Sequence, residues 1–124
     1  MIHLDTHAVV WLYMKDEVRF TEKGKSLIDR EDLIISPMVK LEIEYLYEVD
    51  KISERSSIII EYLMEKIDLN LSDIPLDRVI EKAQTMKWTG DPFDRIITAQ
   101  ALLQDAALLT KDRTILKHYS KAFW

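Results

Sequence analysis

The chain has 124 residues, of which 48% are hydrophobic and 31% charged, and its formal net charge at pH 7 is −5. This composition suits one globular domain over residues 1–124, and it excludes intrinsic disorder and an extended basic face for nucleic acid. Because the sequence has no cysteine, disulfides, thiolate catalysis and cysteine zinc sites are excluded too. We see neither a signal peptide nor an apolar run near the roughly 20 residues of a membrane helix, so we expect a cytoplasmic protein.

Short apolar runs separated by amphipathic segments set the predicted order of elements. In chain order they predict a strand at 2–5, helices at 6–13 and 20–31, a strand at 33–35, helices at 37–50 and 54–67, a weak strand at 68–74, helices at 76–86 and 92–104, a strand at 107–110, a short helix at 113–119 and an edge strand at 122–124. Apolar runs without alternation indicate parallel strands covered on both faces. We therefore predict an α/β fold with three layers, α/β/α, and a central, mostly parallel sheet of four to five strands.

Four acidic residues are predicted to meet at one edge of this sheet. Asp5 ends the first strand, and Asp112 follows the strand near the carboxyl end of the chain. Glu42 lies early in the helix after the second strand, and Asp94 lies in the first turn of a later helix. Such positions converge because sites form where parallel strands end. Clustered acids repel each other unless a cation lies among them, and oxygen ligands suit Mg²⁺ or Mn²⁺. Metal-assisted phosphodiester hydrolysis is the chemical hypothesis.

Each of these acids also has a structural interpretation. Asp5 can cap the helix that follows it, Asp94 can favour a helix dipole, and Asp112 can close a solvated turn. Asp91 stands directly before a proline and is interpreted as an N-cap. Glu42 is the exception, because it shares a helical stripe with apolar residues that should face the sheet. An unpaired carboxylate there costs several kcal/mol.

The sequence indicates the remaining polar and aromatic residues less strongly as residues of a functional site. His3 alternates with apolar residues and is expected to be packed, whereas His7 is close enough to Asp5 to contact the site. His118 is expected at the surface, and Glu44 is the expected solvated acid of its helix. The sequence has no catalytic triad, no zinc-protease spacing and no glycine-rich phosphate loop. We interpret the tryptophans and tyrosines at helical spacing as core or interface residues.

Four segments, in this order, resemble the PIN-domain family, and in particular its VapC-like branch, the toxins of type II toxin–antitoxin systems. These segments are LDTHAVVW at 4–11, ISP at 35–37 with Glu42 following, DPFDR at 91–95 continuing through AQA at 99–101, and LTKD at 109–112. The resemblance covers nearly the whole chain. It implies a metal-dependent endoribonuclease with Mg²⁺ or Mn²⁺ on its acidic residues. Members of this branch are usually dimeric and are held inactive by a cognate antitoxin.

The resemblance also implies roles for individual residues. It makes Asp5, Glu42 and Asp94 the three acidic catalytic and metal-binding positions, with Asp112 at the more variable fourth. Donors and cations near the same edge are candidates for contacts to RNA or to the liganding residues: Thr6, Arg95, Thr110, Lys111 and Arg113. The chain departs from the branch just before Asp91, where the residues at 88–90 (WTG) replace the usual basic residue and histidines.

Three other classes of protein fit parts of the pattern. A receiver domain of two-component signalling matches the length, the parallel fold and the Mg²⁺-binding acids, but it needs an acidic pair after its first strand. A haloacid-type phosphatase needs a second aspartate where His7 stands. A catalytically silent module that only binds an antitoxin is disfavoured because all four acids are present.

Overall fold

A single five-stranded sheet forms the centre of the computed structural model, which describes residues 1–124. Its strands are β1 (Ile2–Leu4), β2 (Leu33–Ile35), β3 (Asn70–Leu71), β4 (Ala107–Leu109) and β5 (Ala122–Phe123). The helices are α1 (Thr6–Tyr13), α2 (Glu22–Arg30), α3 (Pro37–Glu48), α4 (Ser56–Ile67), α5 (Leu76–Ala83), α6 (Pro92–Leu103) and α7 (Arg113–His118), with one 3₁₀ turn at Glu17–Arg19. The predicted three-layer α/β/α class is confirmed. No helix has the length and apolar character needed to cross a membrane.

All neighbouring strands are parallel, in the order β3-β2-β1-β4-β5. The chain moves outward from β1 through β2 to β3, and then returns to the other side of β1 to form β4 and β5. This change of direction makes a topological switch point between β1 and β4, where α/β proteins place their ligand sites. Both edge strands are only two residues long.

The three inner strands are short because each contributes only a buried apolar run. Ile2 pairs with Leu33 on one side and with Ala107 on the other, and Leu4 is fully buried. His3 lies between them with no exposed surface, and its Nε2 atom lies 2.5 Å from Oε1 of Gln104. The expectation that His3 is packed is therefore confirmed.

Four helices are followed within two residues by a residue whose backbone lies in the left-handed region. These residues are Lys15, Asp50, Asp68 and Asp105, with φ between 52° and 58°. The chain has only two glycines, and neither has a positive φ. Aspartate takes this conformation more readily than most residues, since its short polar side chain can bond locally. The predicted helix at 37–50 ends at Glu48, ahead of Asp50, whereas the predicted helix at 76–86 ends at Ala83 without a left-handed residue, and the weak strand at 68–74 shrinks to two residues.

Glu44 is not the solvated acid that the sequence predicts. Its Oε1 atom accepts a hydrogen bond from the backbone amide of Ser56 at 3.2 Å, and Oε2 accepts one from Arg55 at 2.7 Å. The residue that precedes α4 is Arg55, which provides no side-chain cap of its own. Glu44 in α3 therefore satisfies the first turn of α4, and it ties the two helices together.

Replacing Glu44 with alanine is expected to lower the free energy of unfolding by more than an ordinary surface substitution does, because the first turn of α4 loses its cap. Chemical denaturation at pH 7 measures this change. Glu61→Ala is the matched control, since Glu61 is an exposed residue of α4, and its effect should stay within about 0.5 kcal/mol. Equal effects of the two substitutions would contradict the capping role.

Candidate active site

A cleft of about 420 Å³ opens where β1 and β4 end, at the switch point of the sheet. All four acids singled out in the sequence line it, and Asp91 is a fifth. The full lining consists of Asp5, His7, Ala8, Trp11, Glu42, Asp91, Asp94, Lys111 and Asp112. Parallel pairing accounts for this convergence, because the loops that leave β1, β2 and β4 emerge on the same edge.

Asp5 is the most buried carboxylate of the cleft, with 7% of its surface exposed. Oδ1 accepts a hydrogen bond from the amide of Thr6 at 2.8 Å, so Asp5 caps α1 as its structural interpretation requires. Oδ2 accepts one from the Thr110 hydroxyl at 2.6 Å. Burial raises the pKa of Asp5, and these two hydrogen bonds oppose the rise. Asp5 is therefore both a helix cap and a fixed member of the acidic cleft.

Glu42 reaches the same cleft from α3. Proline at the first helical position and the Ser36 hydroxyl, which accepts a bond from the Met38 amide at 3.1 Å, start α3 directly after β2. The Thr6 hydroxyl donates a hydrogen bond to Oε1 of Glu42. Desolvation is the main cause that raises the pKa of Glu42 to about 7, and neighbouring carboxylates add to it. The expectation that Glu42 lies against the protein interior is confirmed by its partial burial.

Asp94 is the carboxylate with the fewest partners. It lies in the first turn of α6, whose N-terminus is capped by Asp91. The Asp91 Oδ1 atom accepts bonds from the amides of Phe93 at 2.8 Å and Asp94 at 3.3 Å. No hydrogen bond offsets the raised pKa of the Asp94 carboxyl, which reaches about 7 through burial and the charge of the other acids. The interpretation of Asp91 as the helix cap is confirmed, and Asp94 is left with an unsatisfied carboxylate.

Asp112 caps α7, because its Oδ1 atom accepts a hydrogen bond from the Ile115 amide at 2.9 Å. Its own amide donates to the Thr110 hydroxyl at 3.0 Å. The same hydroxyl donates to Asp5, so Thr110 bridges the residues that follow β1 and β4. One buried threonine thus fixes two of the acids relative to each other.

Thr110→Val removes this bridge without changing the shape of the side chain. We expect the free energy of unfolding to fall by roughly 1–3 kcal/mol, since a buried carboxylate oxygen then lacks its donor. Thr110→Ser keeps the hydroxyl and is expected to lie close to the parent. Urea unfolding of both variants at pH 7 makes the comparison, and equal losses would show that the hydroxyl is not needed.

The cleft concentrates negative charge that no ion pair balances. None of its five carboxylates takes part in an ion pair, and the ion pairs of the chain all lie elsewhere. No group of three or more histidine, aspartate or glutamate side chains has an arrangement that could hold a metal ion. Threonine hydrogen bonds hold two of the acids in place, and mutual repulsion favours separation of the rest.

The five residues predicted to contact RNA or the liganding residues have different surroundings in the structure. Thr6 and Thr110 are buried and bond to the carboxylates, as described above. Lys111 lines the cleft, but Arg113 begins α7 at an exposed position and is not part of the lining. The Nε atom of Arg95 donates to the Thr89 carbonyl at 2.7 Å, so this side chain secures the loop before α6.

The sequence alone does not indicate that two aromatic residues line the cleft. His7 and Trp11 both line it, and their ring centroids lie 5.6 Å apart. Their spacing of four residues on α1 places them on one helix face, and this spacing is the signal that points to them. Trp11 also packs against the hydrophobic core, as predicted for a core residue.

The sheet order and the acidic cleft define a three-layer α/β protein with a candidate site at its switch point. The sequence profile of the PIN domain matches residues 2–121, and the chain therefore belongs to the PIN-domain family. The family resemblance predicted from the four sequence segments is confirmed. A search of curated proteins finds no match to the chain.

Solved structures with the same fold include complexes of toxins with antitoxins. VapBC2 of Rickettsia felis, bound to a promoter DNA fragment, superposes with a TM-score of 0.67 at 17% identity, covering 99% of this chain and 96% of that chain. A toxin–antitoxin complex of Klebsiella pneumoniae gives 0.67 at 15% identity over 100% and 97%. VapBC-1 of nontypeable Haemophilus influenzae gives 0.57 at 19% identity over 100% and 96%. At these identities the similarity is one of fold.

Proposed function

We propose that this protein is a metal-dependent endoribonuclease and the VapC-like toxin of a type II toxin–antitoxin pair. The observation that carries the proposal is the cleft at the strand ends, where five carboxylates lie without an ion-pair partner. The raised pKa values of Asp5, Glu42 and Asp94 express an unbalanced charge that a bound cation would offset. Membership of the PIN-domain family supports a nuclease.

Asp5, Glu42 and Asp94 are the residues that would hold Mg²⁺ or Mn²⁺, with Asp112 assisting. The donor set fits such an ion by its chemistry, because carboxylate oxygens are the ligands that hard divalent cations prefer. In the structure these carboxylates are not arranged as the ligands of one metal ion. Metal binding therefore requires their side chains to approach one another. The carboxylate of Asp94, which no hydrogen bond holds in place, is the one we expect to move most.

The chain's own residues have distinct tasks in this proposal. Thr110 and Thr6 hold the carboxylates of Asp5 and Glu42 in fixed orientations. Lys111, at the rim of the cleft, attracts the phosphate backbone of RNA, and the salt dependence of binding should reflect this contact. The chemistry that a divalent ion held by these residues would supply is polarisation of a phosphodiester oxygen and activation of water, as needed for hydrolysis that leaves a 5′-phosphate.

Partners belong to the same proposal. The fold similarity to toxin–antitoxin complexes supports a cognate antitoxin protein that holds the enzyme inactive in the cytoplasm. A homodimer is supported by exposed apolar residues on α3 and α5, where Leu41 and Leu76 expose 58% and 66% of their surface. The apolar stripe of α4 is a weaker candidate for the dimer interface, because Ile59, Ile60 and Leu63 are buried within the subunit.

The receiver-domain alternative does not match the topology. Receiver domains have the strand order 2-1-3-4-5, whereas this sheet has the order 3-2-1-4-5. The silent antitoxin-binding module shares the fold of an active toxin, and only an activity measurement distinguishes the two.

Incubation of the purified protein with total cellular RNA tests the proposed function. With Mg²⁺ or Mn²⁺ we expect cuts at discrete sites that carry 5′-phosphates, and with EDTA we expect none. Folding is verified in the same samples by circular dichroism. Failure of the folded, metal-supplied protein to cut any RNA would contradict the nuclease proposal and favour the silent binding module.

A further inference from the structure

An aromatic stack outside the cleft joins the loop before α6 to the end of α7. The rings of Trp88 and His118 lie with their centroids 5.2 Å apart and their planes inclined by 10°. Trp88 precedes α6, which carries Asp94, and His118 is the last residue of α7, which Asp112 caps. Neither ring lines the acidic cleft. The Trp88–His118 stack therefore connects two elements that bring acids to the cleft, and it does so from outside the site.

Trp88 is held firmly by the protein interior. Its partly buried side chain packs against two apolar clusters. The larger cluster includes the buried Ile115 of α7, and the smaller one includes Ile96 of α6. Close packing on both sides leaves the indole little freedom to turn. The exposed His118 ring thus stacks on a fixed surface.

Hydrogen bonds connect the residue after Trp88 to the start of α6. The carbonyl of Thr89 accepts a bond from Nε of Arg95 at 2.7 Å, and its hydroxyl accepts one from the Asp91 amide at 3.2 Å. Asp91 in turn caps the helix that carries Asp94. Because no hydrogen bond holds the Asp94 carboxylate itself, the backbone of this first turn sets its position.

On the other side of the stack, α7 connects His118 to Asp112. Asp112 accepts a hydrogen bond from the Ile115 amide at 2.9 Å, and the side chain of Ile115 is fully buried. The helix has six residues, which is less than two turns at about 3.6 residues per turn. A shift of His118 is therefore passed on to the residue that caps the other end.

We propose that the Trp88–His118 stack positions Asp94 relative to Asp112, so that both carboxylates can approach one divalent ion. This inference rests on the proposed function, and it makes Trp88 and His118 positioning residues rather than metal ligands. Acids that repel each other separate unless the backbone around them is held. Residues that support ligands in this way change metal affinity without touching the ion. The stack also gives a role to the segment 88–90, where the sequence departs from the VapC-like branch.

The affinity for Mn²⁺ without RNA tests the inference, measured at pH 8 from the electron paramagnetic resonance signal of the free ion. His118 is the residue to change, because it is exposed whereas Trp88 packs in two clusters. His118→Leu is expected to weaken Mn²⁺ binding about three- to tenfold, as for loss of one aromatic pair. His118→Phe keeps a ring and should bind within about twofold of the parent. Equal losses in both variants would overturn the inference, because a ring nitrogen would then be the group that matters.

Tyr62→Leu is the matched control for the loss of an aromatic contact. Tyr62 of α4 pairs with Tyr13 of α1 at a centroid distance of 5.4 Å, and neither tyrosine lines the cleft. Its Mn²⁺ affinity should remain within about twofold of the parent, because no acid of the cleft depends on this pair. A loss as large as that of His118→Leu would assign the effect to general destabilisation and overturn the inference.

A distance measurement without metal tests the positioning directly. Since the chain has no cysteine, spin labels can be attached at Gly90→Cys and Thr114→Cys alone. Both positions are exposed, and a Cβ atom at Gly90 meets no atom within 4 Å. His118→Leu is expected to broaden the distribution of distances between the labels, whereas His118→Phe should keep it narrow. A distribution that stays the same in His118→Leu would contradict the positioning role.

The two proposals fail in different ways. Metal-dependent RNA cleavage by the unmodified protein, with Mn²⁺ affinity and label distances unchanged in His118→Leu, overturns the positioning role alone. If the unmodified protein binds no Mn²⁺, the metal role of the cleft is contradicted. A broader distance distribution in His118→Leu then still supports the stack as the contact that positions the two acids.

Discussion

Asp94→Asn is expected to reduce RNA cleavage by on the order of a hundredfold or more, while the protein stays folded and becomes slightly more stable without metal. Asp94 has no hydrogen-bond donor for its carboxylate, and burial and four other acids raise its pKa to about 7. A neutral amide of the same shape removes this repulsion but offers a poorer ligand for a cation. The substitution therefore separates stability from activity, because the two change in opposite directions.

Initial rates on a fluorogenic RNA and thermal unfolding at pH 8 provide the two measurements. Asp77→Asn is the control, since Asp77 is an exposed acid in the first turn of α5, as Asp94 is an acid in the first turn of α6. It should retain full activity. A destabilised, inactive Asp94→Asn protein would assign Asp94 a structural role, and an active one would place the site elsewhere.

The second large effect concerns pH and metal together. Without metal, the protein is expected to lose about 1 kcal/mol of stability as the pH rises from 6.5 to 8, after allowance for solvent screening of these half-buried carboxylates. Glu42 and Asp94 have pKa values of about 7 in the folded protein, above the ordinary values of 4.5 and 3.8. A raised carboxyl pKa means that the folded state holds protons that the unfolded state has already released. The contribution of these two carboxyls to stability is then greatest at low pH and falls as the pH passes through 7.

His3 does not obscure this window. Burial lowers the pKa of His3 from 6.5 to about 4, so the folded state resists protonation of its imidazole. The stability that His3 contributes is present above pH 6.5 and is lost only as the pH falls towards 4. Between pH 6.5 and 8 the acids of the cleft dominate.

Melting temperatures recorded across this range are expected to fall by about 4–8 °C in EDTA. Mn²⁺ or Mg²⁺ at pH 8 should reverse the loss, because the ion binds the folded state and favours ionised carboxylates. The Glu42→Gln protein should show a smaller fall with pH and a smaller response to metal. A melting temperature that is flat across the range, with no response to either ion, would contradict the proposed metal role of the cleft.

The positions of the acids were predictable because a parallel sheet leaves little freedom in where its strands end. Asp5, Glu42, Asp94 and Asp112 each follow an apolar run or begin the next helix, and this order is enough to bring them to one cleft. Their hydrogen bonds were not predictable. Thr110 bonds to Asp5, 105 positions away in the chain, and only the pairing of β1 with β4 brings the two together.

Elements that depend on long-range contacts were the ones that sequence patterns described poorly. β3 consists of two residues, too few to show any periodicity, and its pairing with β2 defines it. Glu44 looks like a solvated acid by its helical position, but it caps a helix that starts 12 residues later. The contact between Trp11 and Trp124 was missed for the same reason, because Trp124 reaches Trp11 from the far end of the chain.

The short edge strands have a consequence for how this protein associates with others. Asn70–Leu71 and Ala122–Phe123 each expose a backbone edge of two residues, which is too little for a partner to extend the sheet by adding a strand. Any second chain must then recognise side chains on the helices rather than backbone amides. Specificity among related PIN-domain proteins and their partners would accordingly be encoded in surface residues, which can diverge while the sheet stays the same.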